Sequence, residues 1–70
     1  MNVDTINNLL DEKGEVQLYM DSGAKFEIHR EARISETEIY FEDEDGEEFY
    51  LDTEKVECVS AHRSHRYSPA

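Results

Sequence analysis

Apolar residues along this chain fall into short phased runs, and the period of the phasing changes once. Val3, Ile6, Leu9 and Leu10 recur at helical spacing with Asn7, Asn8 and Asp11 between them, which predicts a short amphipathic helix capped by Asp4 or Thr5 and ended by Gly14. A helix of this length is marginal alone, so its apolar side has to dock on another element. From Glu15 the period becomes two. Val16, Leu18 and Met20 alternate with Glu15, Gln17 and Tyr19, Asp21-Ser22-Gly23 supplies a turn, and the return run sets Ala24, Phe26 and Ile28 against Lys25, Glu27 and His29. Continued through Arg30, Ala32 and Ile34, the same alternation places an arginine on the core face, so a bend or bulge is expected there. A long, bent second strand is what a small barrel needs to turn its corner.

Ser35 to Thr37 forms the next turn, after which Ile39 and Phe41 point inward on a third strand and Phe49 and Leu51 on a fourth. The acids from Glu42 to Glu48 then span the reversal around Gly46, which tolerates positive φ. Asp52-Thr53-Glu54-Lys55 reads as one tight turn and Val56 to Ala61 as a short fifth strand. From His62 the sequence "HRSHRYSPA" is polar and locally basic. The organisation expected is one domain over residues 1–61 and a flexible polar tail over residues 62–70. With Leu18, Ile28, Phe41 and Leu51 inside, Tyr19, Tyr40 and Tyr50 lie on the opposite sheet face. Tyrosine is favoured at interfaces, so these three are the candidate partner-binding residues, unless the N-terminal helix covers them with Ile6, Leu9 and Leu10.

"VQLYMDSGAKFEI" (Val16 to Ile28) and "FYLDTEKVECV" (Phe49 to Val59), behind a short N-terminal helix, resemble the SH3-like barrels, and among them the Sm-like (LSm) family. The resemblance covers about a third of the chain and implies a five-stranded, strongly bent antiparallel sheet or small barrel. The family's RNA pocket uses an Asp and an Asn near the second turn and an Arg-Gly or similar pair before the last strand. Here those places read Ile34-Ser35-Glu36-Thr37-Glu38 and Asp52-Thr53-Glu54-Lys55, so no RNA-binding residue carries over.

At 70 residues the chain has no room for a deep cleft, since a domain of this size buries only about 60% of its unfolded surface. Hydrophobic residues make up 37%, enough for a compact core despite 18 acids against 7 Lys and Arg. The net charge of −11 repels phosphates, so nucleic-acid binding is expected only at high salt or through the tail. With only three lysines, the acidity suits a halophilic cytoplasm. One cysteine, Cys58, cannot close an internal disulfide, Met1-Asn2-Val3-Asp4 lacks the features of a signal peptide, and no apolar run is long enough to cross a bilayer. A soluble protein of a reducing, cytoplasmic compartment is expected.

The acidic reversal fails the calcium-loop template: with Gly46 sixth, Asp43 and Asp45 fall third and fifth, but Phe41 falls first. Cys58, His62 and His65 form C-x3-H-x2-H, whose donors suit zinc if a fourth ligand such as His29 arrives in space. The alternative is that Cys58 is a small buried hydrophobe. Arg63, Arg66 and Tyr67 of the tail have the chemistry to hold phosphates and stack on bases. Neither a phosphate loop nor an oriented nucleophile and base is legible. The sequence therefore predicts a mainly β, non-catalytic, cofactor-free module that pairs with itself or another protein through an exposed strand edge or the tyrosine face, with an RNA-associated and a metal-responsive role as alternatives.

Overall fold

A computed structural model describes residues 1–61. Helix α1 spans Val3–Lys13, and the strands are β1 (Glu15–Met20), β2 (Lys25–His29), β3 (Arg33–Ile34), β4 (Glu38–Glu42), β5 (Glu48–Asp52) and β6 (Val56–Ser60). A single 3-10 turn, Thr53–Lys55, separates β5 from β6. The chain is mainly β, as its alternation predicts, with a short N-terminal helix.

The helix begins earlier than expected: Asn2, not Asp4 or Thr5, is the cap, and its Oδ1 accepts from the Asp4 N–H at 2.8 Å. At the other end Gly14 takes φ 87°, and its N–H donates to the Leu10 carbonyl at 2.8 Å. Glycine adopts this left-handed conformation without a Cβ penalty, so the helix stops there and β1 starts at once. Ile6 and Leu10 are buried, whereas Leu9 only packs against the core's margin.

β1 is the central strand of an antiparallel sheet ordered β2-β1-β6, and its odd and even residues separate cleanly, with Val16, Leu18 and Met20 buried. The turn to β2 closes with the Gly23 N–H on the Met20 carbonyl at 2.9 Å. β2 then ends at His29, where Arg30 and Glu31 turn and the Ala32 N–H donates back to the His29 carbonyl at 3.0 Å. This interruption keeps Arg30 off the core face. It also splits the expected long second strand in two, so there are six strands rather than five.

The second antiparallel sheet is ordered β3-β4-β5. Its corner is held by Ser35, whose N–H donates to the Glu38 carbonyl at 2.9 Å while its Oγ accepts from the Glu38 N–H at 3.1 Å. The expected closed barrel is not formed: two three-stranded sheets face one another, and β6 pairs with β1 while β5 and β6 do not pair. The 3-10 turn between them redirects the chain. Asp52 caps it, its Oδ1 accepting from the Glu54 N–H at 2.9 Å, and the buried Thr53 Oγ1 donates to the Glu36 carbonyl.

One core joins both sheets and the helix: Ile6 and Leu10 from α1, Val16, Leu18, Met20 and Ile28 from the first sheet, Ile39, Phe41 and Leu51 from the second, and Val56 from β6. Phe26, Phe41 and Phe49 meet at its margin, with Phe41 and Phe49 stacked at 4.9 Å between ring centroids. Each buried aliphatic side chain contributes roughly 1.5–3 kcal/mol. The four residues on which the sequence reading depends, Leu18, Ile28, Phe41 and Leu51, are all inside. No helix among the described residues is long and apolar enough to cross a membrane.

Candidate interaction surface

Because side chains alternate across a strand, the outer face of the second sheet is built from the even-numbered residues of β4 and β5. Register sets them in three rows: Glu38 opposite Asp52, Tyr40 opposite Tyr50, and Glu42 opposite Glu48. The centre of the face is therefore aromatic, and carboxylates border it at both ends. The two tyrosine rings lie 4.9 Å apart at an interplanar angle of 43°, and Tyr50 is 62% exposed. On the β3 side Arg33 pairs in register with Tyr40, and a groove of about 510 Å³ runs between Arg33, Ile34, Ser35, Glu38 and the two rings.

The hydroxyl of Tyr40 donates to Glu48 Oε2 at 2.8 Å. That bond to a carboxylate, helped by the negative charges of Glu48 and Glu42, pushes the Tyr40 phenol up to about 12, because a phenolate there would lose its acceptor and meet like charge. Tyr40 is thus tethered along the sheet, whereas no hydrogen bond ties the Tyr50 hydroxyl among the described residues.

The third candidate, Tyr19, is elsewhere. It belongs to the outer face of the first sheet, where its hydroxyl donates to Gln17 Oε1 at 3.1 Å, Ser60 Oγ approaches it at 3.5 Å and Lys25 Nζ lies 5.9 Å from the ring centroid. The single tyrosine face expected from alternation is thus two faces on two sheets. Nor does the helix cover them, since Ile6 and Leu10 point into the shared core.

Cys58 is exposed on β6 opposite Tyr19, not buried as a small hydrophobe. His29 sits opposite Glu15, at the far end of the same sheet. Four residues along β1 and two strand spacings across separate the two positions, roughly 13 Å by 10 Å. His29 therefore cannot complete a zinc site with Cys58. The other proposed ligands, His62 and His65, and the tail residues Arg63, Arg66 and Tyr67, lie outside the described residues.

One cluster was not legible in advance. Glu15, Glu27 and His29 gather on the outer face of the first sheet, with Glu27 Oε2 3.2 Å from His29 Nε2 and Glu15 Oε1 3.9 Å from Nδ1. The two carboxylates approach opposite nitrogens of one ring, and one ligand atom from each of the three residues lies within 4.8 Å of the others. The register between Glu15 and His29 is the signal that could have found it.

The acidic reversal is a turn. Asp43 Oδ1 accepts from the N–H groups of both Asp45 and Glu47 at 2.9 Å, and Gly46 takes φ 84°. Asp43, one of the two acids that fit the calcium template, thus spends an oxygen on its own backbone. No family model, curated protein or solved structure matches this chain.

Proposed function

We propose that this chain is a non-catalytic protein-interaction module that uses the outer face of its second sheet. The observation that carries the reading is the Tyr40–Tyr50 pair, with one ring tethered to Glu48 and the other 62% exposed at the centre of a sheet face. Two adjacent aromatic rings held on strands offer contact area at little conformational cost, which is why tyrosine is enriched where proteins meet. The bordering Glu38, Glu42, Glu48 and Asp52 disfavour phosphate ligands on this face. A binding role also fits the separation of Cys58 from His29, which leaves the thiol without that base. The SH3-like or Sm-like reading of the architecture belongs to the same proposal, resting on the order helix, hairpin, second hairpin, 3-10 turn and last strand.

The test is selection from a displayed random-peptide library against the full chain, counter-selected with Tyr50→Ser, beside a measurement of mass in solution over a concentration series at low and molar salt. Peptides that bind the parent and lose binding to Tyr50→Ser, or a self-association that Tyr50→Ser abolishes, are the expected results. A concentration-independent monomer that yields no Tyr50-dependent peptide overturns the reading.

A further inference from the structure

The free edge of β5 adds a second recognition element to the tyrosine face, and the ladder's parity says which residues carry it. In an antiparallel pair, residues alternate between those that bond across to the partner and those whose N–H and C=O point away from it. The Asp43 N–H donates to the Glu47 carbonyl at 2.9 Å, and the Thr53 N–H to the Thr37 carbonyl at 3.2 Å, so the bonded pairs of the β4–β5 ladder are those with odd numbers. Glu48, Tyr50 and Asp52 therefore turn their backbone N–H and C=O groups outward. β5 has no strand on that side among the described residues. The same three residues also send their side chains to the outer face.

We propose that the β5 edge accepts an added strand from a basic partner, a peptide segment in which Lys or Arg alternates with apolar residues. The proposal rests on the interaction reading above and names the chemistry of the partner. Side chains of an added strand that share the outer face fall beside Glu48, Tyr50 and Asp52. Opposite charges across a ladder stabilise it, and a cation beside Tyr50 also meets a ring face. The alternate side chains point inward, next to half-buried Phe49 and to Leu51, where apolar groups complete the cover. The pattern selected is basic, apolar, basic, apolar, basic.

Arg33 does not oppose this, because it lies on β3, two strand spacings or roughly 10 Å from the β5 edge. A second copy of the chain is the poorer occupant: each molecule carries −11, and of the edge strands β2, β3, β5 and β6 only β2 (Lys25–His29) sets basic against apolar residues in alternation, with Glu27 where a cation would face Tyr50.

The probe is a fluorescein-labelled peptide containing Lys-Val-Arg-Val-Lys, with a matched peptide carrying Glu for Lys and Arg, titrated against the full chain by anisotropy. Two further peptides are N-methylated, one at the Lys and Arg amides and one at the Val amides. A strand bonded to β5 uses only one of these two sets, so one N-methylated peptide is expected to bind about tenfold more weakly and the other to bind unchanged. Binding is expected to fall about tenfold in 1 M salt, and to weaken in Glu48→Gln, which keeps an acceptor for Tyr40.

Equal loss or no loss with both N-methylated peptides overturns the added strand. Equal binding of the acidic peptide overturns the basic partner while leaving the interaction reading intact, provided Tyr50→Ser still weakens it. A protein whose mass doubles with concentration, and whose dimer excludes the peptide, assigns the edge to a second copy and overturns the proposal. Melting curves on Glu48→Gln and Tyr50→Ser separate lost binding from lost folding.

Discussion

Arg30, the residue that strand alternation placed on the core face, instead reaches back to the end of α1, where its Nη2 donates to the Asp11 carbonyl at 2.9 Å. The last carbonyls of a helix have no partner within it and carry the negative end of its dipole. A guanidinium there satisfies one of them and ties the helix to the corner between the two sheets. Arg30→Ala is expected to lower stability by about 1 kcal/mol in urea melts, with Arg30→Lys less damaging. Gly14→Ala strikes the same junction through the backbone, because its φ is +87°, while the new Cβ would only reach contact, 3.4 Å, with the flexible end of Arg30. A loss of about 1–2 kcal/mol is expected, and a melt as stable as the parent's contradicts this account of the junction.

Thr53 is the buried polar residue of the described core, and its Oγ1 holds the Glu36 carbonyl. Thr53→Val keeps the shape and removes the donor. It is expected to cost about 0.5–1.5 kcal/mol, the net worth of one hydrogen bond, because the bond is part-buried and the carbonyl of exposed Glu36 can turn to water instead. Thr53→Ser keeps the donor and is expected to retain most of that difference; equal melting of the two variants would show that shape, not the hydrogen bond, matters here.

The acidic reversal depends on one carboxylate more than on its total charge. Asp43→Ala removes the acceptor for two N–H groups and is expected to destabilise by about 1 kcal/mol, whereas Glu44→Ala is expected to stay within about 0.5 kcal/mol of the parent. Hydrogen exchange at the Asp45 and Glu47 amides supplies an independent readout, with faster exchange expected in Asp43→Ala and not in Glu44→Ala.

Tyr40 sets the behaviour at high pH. Its folded phenol titrates near 12 against an ordinary 10.0, so the native state holds a proton that the unfolded chain releases. The stabilisation from this group is complete below pH 10 and is lost as the pH rises from about 10 to about 12. Phenolate absorbance should show one tyrosine titrating late, and Glu48→Ala should return it toward the ordinary range. A late tyrosine that persists in Glu48→Ala would assign the shift to another group.

Much of this fold is legible in its apolar pattern, and the failures share a cause. Val16, Leu18 and Met20 alternate so regularly that the central strand and its face follow directly, and Gly14 and Gly46 mark the breaks where the chain takes positive φ. Alternation says on which side of its own strand a residue lies, but not which sheet that strand joins. Phase alone therefore groups Tyr19 with Tyr40 and Tyr50, although β1 and the β4–β5 pair belong to different sheets. The exposure of Cys58 follows from the same limit: opposite Tyr19 in register, it shares that residue's outward phase. The Arg30 interruption was foreseeable as a conflict, because a charged group has no place in an apolar core, but its solution required knowing that α1 ends nearby. The capping role of Asn2 is not legible because Asp4 and Thr5 are equally good capping types, and only position relative to the first turn separates them.

The first sheet is interrupted in sequence by the whole of the second, and the acidic turn at Asp43–Glu47 lies in the middle of the inserted part. A protease cut at Glu44 would leave β1 to β4 on one fragment and β5 and β6 on the other. Those last two strands do not pair together; each pairs with a strand of the opposite fragment, β5 with β4 and β6 with β1. A nicked molecule would thus be fastened by two separate ladders, and the two pieces, mixed after separation, have the pairing needed to reassemble into one domain.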